Sequence, residues 1–178
     1  MAAGKPILLS TAALMLLLLL SGCGSEEQKR NYAIPRALCG LAVDGEALTN
    51  ILPGGDKVTV KDRSYPGTQG CQVIVDGVLI VTAVQMWVDE GQTAAFVAAT
   101  HSIDTVDRSA EKGRYQYSGY EAYGKTHGCV DTKYKQELYA VIQAPSSKKP
   151  DPEAMKRLIV SFTKSVEKSA ECTSGAGR

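Results

Sequence analysis

Excess charge is what this sequence has least of: 20 basic residues stand against 19 acidic ones in a chain of 178, a formal net charge of +1. A chain so balanced has no field to draw it to nucleic acid or to an anionic surface, so no nucleic-acid partner is expected and charge names no other. Histidine is nearly as scarce, with only His101 and His127, and no Cys-x-x-Cys pair occurs, so the donor spacings of zinc and copper sites are missing and no metal is expected. No Gly-x-Ser-x-Gly elbow is present, and Gly67, Gly70 and Gly77 lack phosphate-loop spacing, so no cofactor is implied. The composition is otherwise ordinary for a folded protein, 44% hydrophobic and 22% charged. Once an export segment is removed, the remainder suits one domain of about 100–150 residues.

The export segment is the clearest feature present. Residues 1–5 form a short head whose one charge is Lys5, residues 6–20 are apolar and end in five leucines, and Ser21-Gly22-Cys23 follows. About fifteen apolar residues fall short of the ~20 that span a bilayer as a helix, so a cleaved signal is the better reading of 1–22. Leu20-Ser21-Gly22-Cys23 resembles the bacterial lipobox, which implies acylation of Cys23 by chains such as palmitate and cleavage before it. At ~0.8 kcal/mol per buried CH₂, two or three chains hold a protein on the membrane where one would not. The expected location is therefore the extracytoplasmic face of the cell membrane, with residues 23–31, polar and without apolar period, as a flexible tether. Losing Lys5 from the 20 basic residues leaves 19 against 19 acidic ones, so the mature chain has no net charge.

The cysteine count agrees with this. Five would leave one thiol unpaired in an oxidising compartment, but lipid on Cys23 leaves Cys39, Cys71, Cys129 and Cys172, an even set that predicts two disulfides. Four cysteines allow three connectivities, and sequence does not choose among them; pairing in chain order, Cys39 with Cys71 and Cys129 with Cys172, is preferred.

Patterning in the body predicts an α+β domain over residues 32–172. Short helical pieces are expected at 35–40 and 44–52, stopped by Pro53-Gly54-Gly55, then a strand at 57–61. Residues 71–75 and 78–88 are rich in β-branched side chains and flank Asp76-Gly77, a dipeptide suited to the positive φ angles of a tight hairpin. A short helix over 92–100 leads into a polar connection over 102–113, and strands are expected at 114–118, around 127–131, and at 136–143. Asp151 and Pro152 then open a helix whose Met155, Leu158, Ile159, Phe162 and Val166 form one apolar stripe. Such a stripe must be buried, which predicts a mainly antiparallel sheet with this helix packed on one face. Residues 173–178 read as a frayed tail.

Several of these features occur together: the lipobox, a short tether, Pro35-x-x-Leu38-Cys39-Gly40, the Leu52-Pro53-Gly54 turn, Cys71 opening a Val-Asp-Gly strand, and a closing helix ending at Cys172. In this the chain resembles actinobacterial, Streptomyces-like, envelope lipoproteins of unknown function. The shared positions are turns and structural cysteines. The resemblance thus implies a place in the envelope and carries over no catalytic residue.

Two functional classes remain. One is a non-enzymatic binding module that meets a wall polymer, a small solute or a partner protein. Its candidate surface is the tyrosine-rich run, Tyr115, Tyr117, Tyr120 and Tyr123, because tyrosine offers a flat apolar face with a polar tip at little entropic cost. The same rings could equally fill a half-buried strand. The alternative is a hydrolase or other enzyme assembled from scattered carboxylates and His127, in which a cysteine held in a disulfide cannot serve as nucleophile.

Overall fold

The computed structural model describes residues 28–147 and 149–175; the signal segment, Cys23 and the start of the tether lie outside the described residues. Chain order gives β1 (Ala37–Leu38), β2 (Leu41–Ala42), α1 (Gly45–Ile51), β3 (Val58–Asp62), β4 (Thr68–Val75), β5 (Val78–Asp89) and α2 (Ala94–His101). There follow β6 (Arg108–Ala110), a 3₁₀ turn (Glu111–Gly113), β7 (Tyr115–Tyr117), β8 (Glu121–Asp131), β9 (Gln136–Gln143), α3 (Pro152–Val166) and α4 (Ala170–Gly175). The main sheet is antiparallel throughout, in the order β3-β4-β5-β9-β8-β7-β6. This is the α+β architecture that the patterning predicts.

The side-chain alternation of the strands gives the sheet two apolar faces. Val73, Ala83, Leu138, Ala140 and Ile142 point to one and are fully buried in the core that the α3 stripe of Met155, Leu158, Ile159, Phe162 and Val166 shares. The Asp151 carboxylate accepts the Ala154 N–H at 2.9 Å, and Pro152 stands in the first turn, where its missing N–H costs nothing. Tyr123, Tyr139 and Val141 point to the other face, closed by Ala94, Val97 and Ala98 of α2. Sequence periodicity anticipates cover on one face; α2 supplies a second, smaller layer.

The Asp76-Gly77 turn forms as expected, with φ of +48° and +85°. The Asp76 carboxylate also accepts N–H groups of Asp56 and Lys57 at about 3 Å, tying the entry of β3 to this end of the hairpin. At the opposite end, β3 and β4 are joined through Tyr65-Pro66-Gly67-Thr68. Tyr65 and Thr68 exchange both backbone hydrogen bonds at 2.9 Å, and Gly67 has the positive φ, +78°, that the third residue of a type II turn needs after proline.

Four expectations are corrected. Residues 35–40 are not helical: β1 and β2 form a two-stranded ribbon around Cys39-Gly40, both with positive φ. Six residues between Pro35 and Gly40 are too few to repay helix nucleation, and the disulfide to Cys71 fixes the ribbon on β4 instead. The body begins before Tyr32, because Lys29–Asn31 pair with Gly55 and the Arg30 guanidinium donates to the carbonyls of Thr49 and Leu52, left open at the end of α1. The tail after Cys172 is helical as far as Gly175, within α4, whose Cys172 is bridged to Cys129 of β8. The polar connection over 102–113 likewise contains an edge strand, β6, and the 3₁₀ turn. Both disulfides join the cysteines in chain order, the preferred pairing.

Candidate functional site

The tyrosine-rich run is mostly core. Tyr115, Tyr117 and Tyr123 are buried, Tyr115 and Tyr117 under α3 and Tyr123 under α2, and Tyr120 is half-buried. Strand alternation accounts for this: β7 directs residues 115 and 117 to one face, and β8 directs residue 123 to the other. The four rings therefore do not share a surface. Their surroundings shift their ionisation. Burial pushes the Tyr115 phenol up to about 12 despite the Arg114 guanidinium beside it. Burial, reinforced by the Glu121 carboxylate, also raises Tyr123, and burial raises Tyr139 against the opposing effect of Lys125.

A phenol whose folded pKa lies above its unfolded value contributes stability below the unfolded value, and that stability is lost as pH climbs toward the folded one. A phenolate-absorbance titration of the folded protein is thus expected to fall short of its full amplitude at pH 10, with the Tyr115, Tyr123 and Tyr139 phenols ionising only at higher pH. Reversible ionisation of Tyr115, Tyr123 and Tyr139 around pH 10, with circular dichroism unchanged, would contradict their buried placement.

The alternative centred on His127 gains no partner group for its ring among the described residues. His127 lies exposed in the irregular part of β8, and Glu167, the acid beside it, accepts the His127 backbone N–H at 2.7 Å while paired to Arg114. Cys129 is bridged. Ser161 and Ser165 stand three residues before Lys164 and Lys168, so the Ser-x-x-Lys spacing, expected to be missing, is present. Their hydroxyls serve the fold: Ser161 accepts the Asp44 N–H and donates to Leu158 C=O, and Ser165 donates to Ala42 C=O. Among the described residues, no three His, Cys, Asp or Glu side chains converge as a metal site.

The side chains that do converge on a surface come from three distant segments. The Tyr65-Pro66-Gly67-Thr68 turn, Trp87 near the end of β5, and Glu171 of α4 enclose a groove of about 350 Å³ with Ser64 and Gln69. Each wall is fixed by its backbone. The turn is closed by its two reciprocal hydrogen bonds, and Thr68 is paired to Met86, one residue before Trp87. Glu171 is held beside the bridged Cys172, and its carboxylate accepts the Trp87 indole N–H at 2.7 Å and a Gln69 amide N–H at 3.0 Å. Tyr65 is 64% exposed, unlike the buried tyrosines, and Trp87, half-buried, is the one tryptophan in the chain. The site is therefore two aromatic rings beside hydrogen-bonding side chains, on a rigid frame.

A second concavity, of about 520 Å³, lies between α2 and the 102–106 segment, lined by small residues such as Ala95, Ala98 and Ala99. It has no aromatic wall, and its floor segment is committed to the fold through Glu121. That carboxylate, fully buried, accepts the N–H groups of Ile103 at 3.1 Å and Asp104 at 2.8 Å, the Tyr123 hydroxyl at 2.8 Å and a Gln143 amide N–H at 3.3 Å. A third cleft, of about 620 Å³, lies beside Gln28–Arg30, where the tether enters, with Pro53, Lys149 and Asp151 across from it.

Comparison with known proteins yields no match to a protein family, to a curated protein or to a solved structure.

Proposed function

We propose that this chain is a lipid-anchored binding module on the extracytoplasmic face of the cell membrane, with the Tyr65–Trp87 groove as its ligand face. The observation that carries the reading is the cysteine pairing. Cys39, Cys71, Cys129 and Cys172 are paired among themselves, so the fifth cysteine, Cys23, is left no other cysteine of this chain to bridge to, and it stands in a lipobox-like sequence that would mark it for acylation. Disulfides of this kind persist where the surroundings oxidise, as they do outside the cytoplasm.

The layout of the hairpin suits such an anchor. The tether enters at Arg30, which pairs with Gly55 beside the Asp76-Gly77 turn, whereas the groove lies at the far end of β4. The seven residue steps from Thr68 to Val75, at ~3.3 Å each, separate the two ends by roughly 23 Å. A short tether then keeps the cleft at Gln28–Arg30 toward the bilayer and turns the groove outward.

The test is the intact mass of the membrane-associated protein from a bacterial host, with Cys23→Ala prepared alongside. The wild type is expected to start at Cys23, to be heavier by its acyl chains and four hydrogens lighter through its two disulfides. The Cys23→Ala chain is expected in the medium. A wild type that is secreted freely without lipid overturns the anchor.

A further inference from the structure

We infer that the Tyr65–Trp87 groove takes pyranose rings of a neutral glycan, an inference that rests on reading this groove as the ligand face. A pyranose is amphipathic in a particular way: its C–H faces are apolar and its rim carries hydroxyls that both donate and accept. A matching site needs flat apolar surface next to fixed polar groups, and needs no opposite charge.

The groove has each of these. Tyr65 presents its ring from a turn whose backbone is locked, and the Trp87 ring is fixed through its N–H to Glu171, so little freedom is left to lose on stacking. Around the rings stand the Thr68 hydroxyl, the Gln69 amide and the Glu171 carboxylate, donors and acceptors mixed along one rim, while the Ser64 hydroxyl is bonded to Asp62 and Gly70 and braces the turn. Gln69 has one amide N–H on Glu171 and retains a carbonyl oxygen and a second N–H, neither bonded among the described residues.

Charge narrows the class further. Among the described residues the lining includes no Lys, Arg or His, so a phosphate- or uronate-bearing polymer would find no cation there to pair with its charge. A volume of about 350 Å³ is at the small end of the ~300–1,000 Å³ of ligand sites, enough for a ring or two of a longer chain lying across the opening. The bridge from Cys172 to Cys129 fixes Glu171 before any ligand arrives.

Because Trp87 is the one tryptophan in the chain, its fluorescence reports on this groove alone. The full chain, solubilised in a detergent without sugar head groups, is titrated with cellohexaose, chitohexaose and mannohexaose, and with hexagalacturonate, choline and trilysine for contrast. Calorimetry is run in parallel. The expected result is a saturable change in Trp87 emission with at least one neutral hexasaccharide, absent with hexagalacturonate, and about tenfold weaker binding in Tyr65→Ala. Tyr65 is exposed, so that variant keeps its fold, which near-ultraviolet circular dichroism checks.

Silence with all three neutral hexasaccharides overturns the glycan class. A saturable, Tyr65-dependent response to choline or trilysine also overturns it, replacing sugar with a cation between aromatic rings, and leaves the groove standing as the ligand face. Hexasaccharide binding seen by calorimetry that is unchanged in Tyr65→Ala removes the groove itself from that role.

Discussion

Replacing all four bridged cysteines by alanine is expected to leave the domain mostly unfolded at physiological temperature. The bridges close loops of 32 and 43 residues, and the chain-entropy account assigns each about 4 kcal/mol. Total stabilities of such domains are ~5–15 kcal/mol, so losing both bridges consumes most or all of it. The single-bridge variants separate two roles. Cys39→Ala/Cys71→Ala frees the β1–β2 ribbon from β4, within the main core. Cys129→Ala/Cys172→Ala frees α4 from β8, and with it the carboxylate that holds the Trp87 N–H. Each pair is expected to lower the melting temperature by roughly 10 °C. Only the second is expected to shift Trp87 emission to the red in the folded state. Unfolding free energies from guanidinium titration that stay within about 1 kcal/mol of wild type would show that neither loop is held as described.

Glu121→Ala is the other change with a large expected effect, about 3–5 kcal/mol of destabilisation. The carboxylate is fully buried and accepts from four donors: two backbone N–H groups of the segment after α2, the Tyr123 hydroxyl and the Gln143 amide. Removing it leaves those donors in the interior without an acceptor, and the penalty falls on each of them. Glu121→Gln keeps the shape yet turns an amide N–H toward existing donors, so its expected cost is intermediate, about 2 kcal/mol. Hydrogen exchange at Ile103 and Asp104, read beside urea unfolding, distinguishes the mechanism: both amides lose protection in Glu121→Ala before the core does. Protection that survives the substitution would assign their order to something else.

The C-terminal helix is legible in the sequence because one residue type of signal, the 3.6-residue apolar period, agrees with its cap and its first-turn proline. The Asp76-Gly77 hairpin is legible because positive φ restricts which residues suit the turn. Cysteine counting yields two bridges, though the choice of pairing is settled only by the fold. The segment at 35–40 is misread since local propensity there is overridden by a bond to a residue 32 positions away. The tyrosines mislead for a related reason: closeness along a strand puts neighbours on opposite faces, and composition does not say which face is wet. The groove leaves still less trace. Trp87 and Glu171 are 84 residues apart, and Trp87 lies in a run that reads simply as a buried strand. In the sequence, Pro66-Gly67 alone marks the turn, and nothing local marks the Tyr65 side chain as exposed.

The separation of tether and groove along β4 bears on how tightly such a protein would hold anything. Under the proposed anchoring, every copy presents its groove at the same height above one plane, and neighbouring copies can meet successive stretches of one polymer. After the first contact, each further one is intramolecular, governed by an effective concentration that reaches the millimolar range for short spans. A groove that is weak in solution is then strong as an array. Avidity of that kind would be set by how many copies the membrane carries, and a single purified chain would show little of it.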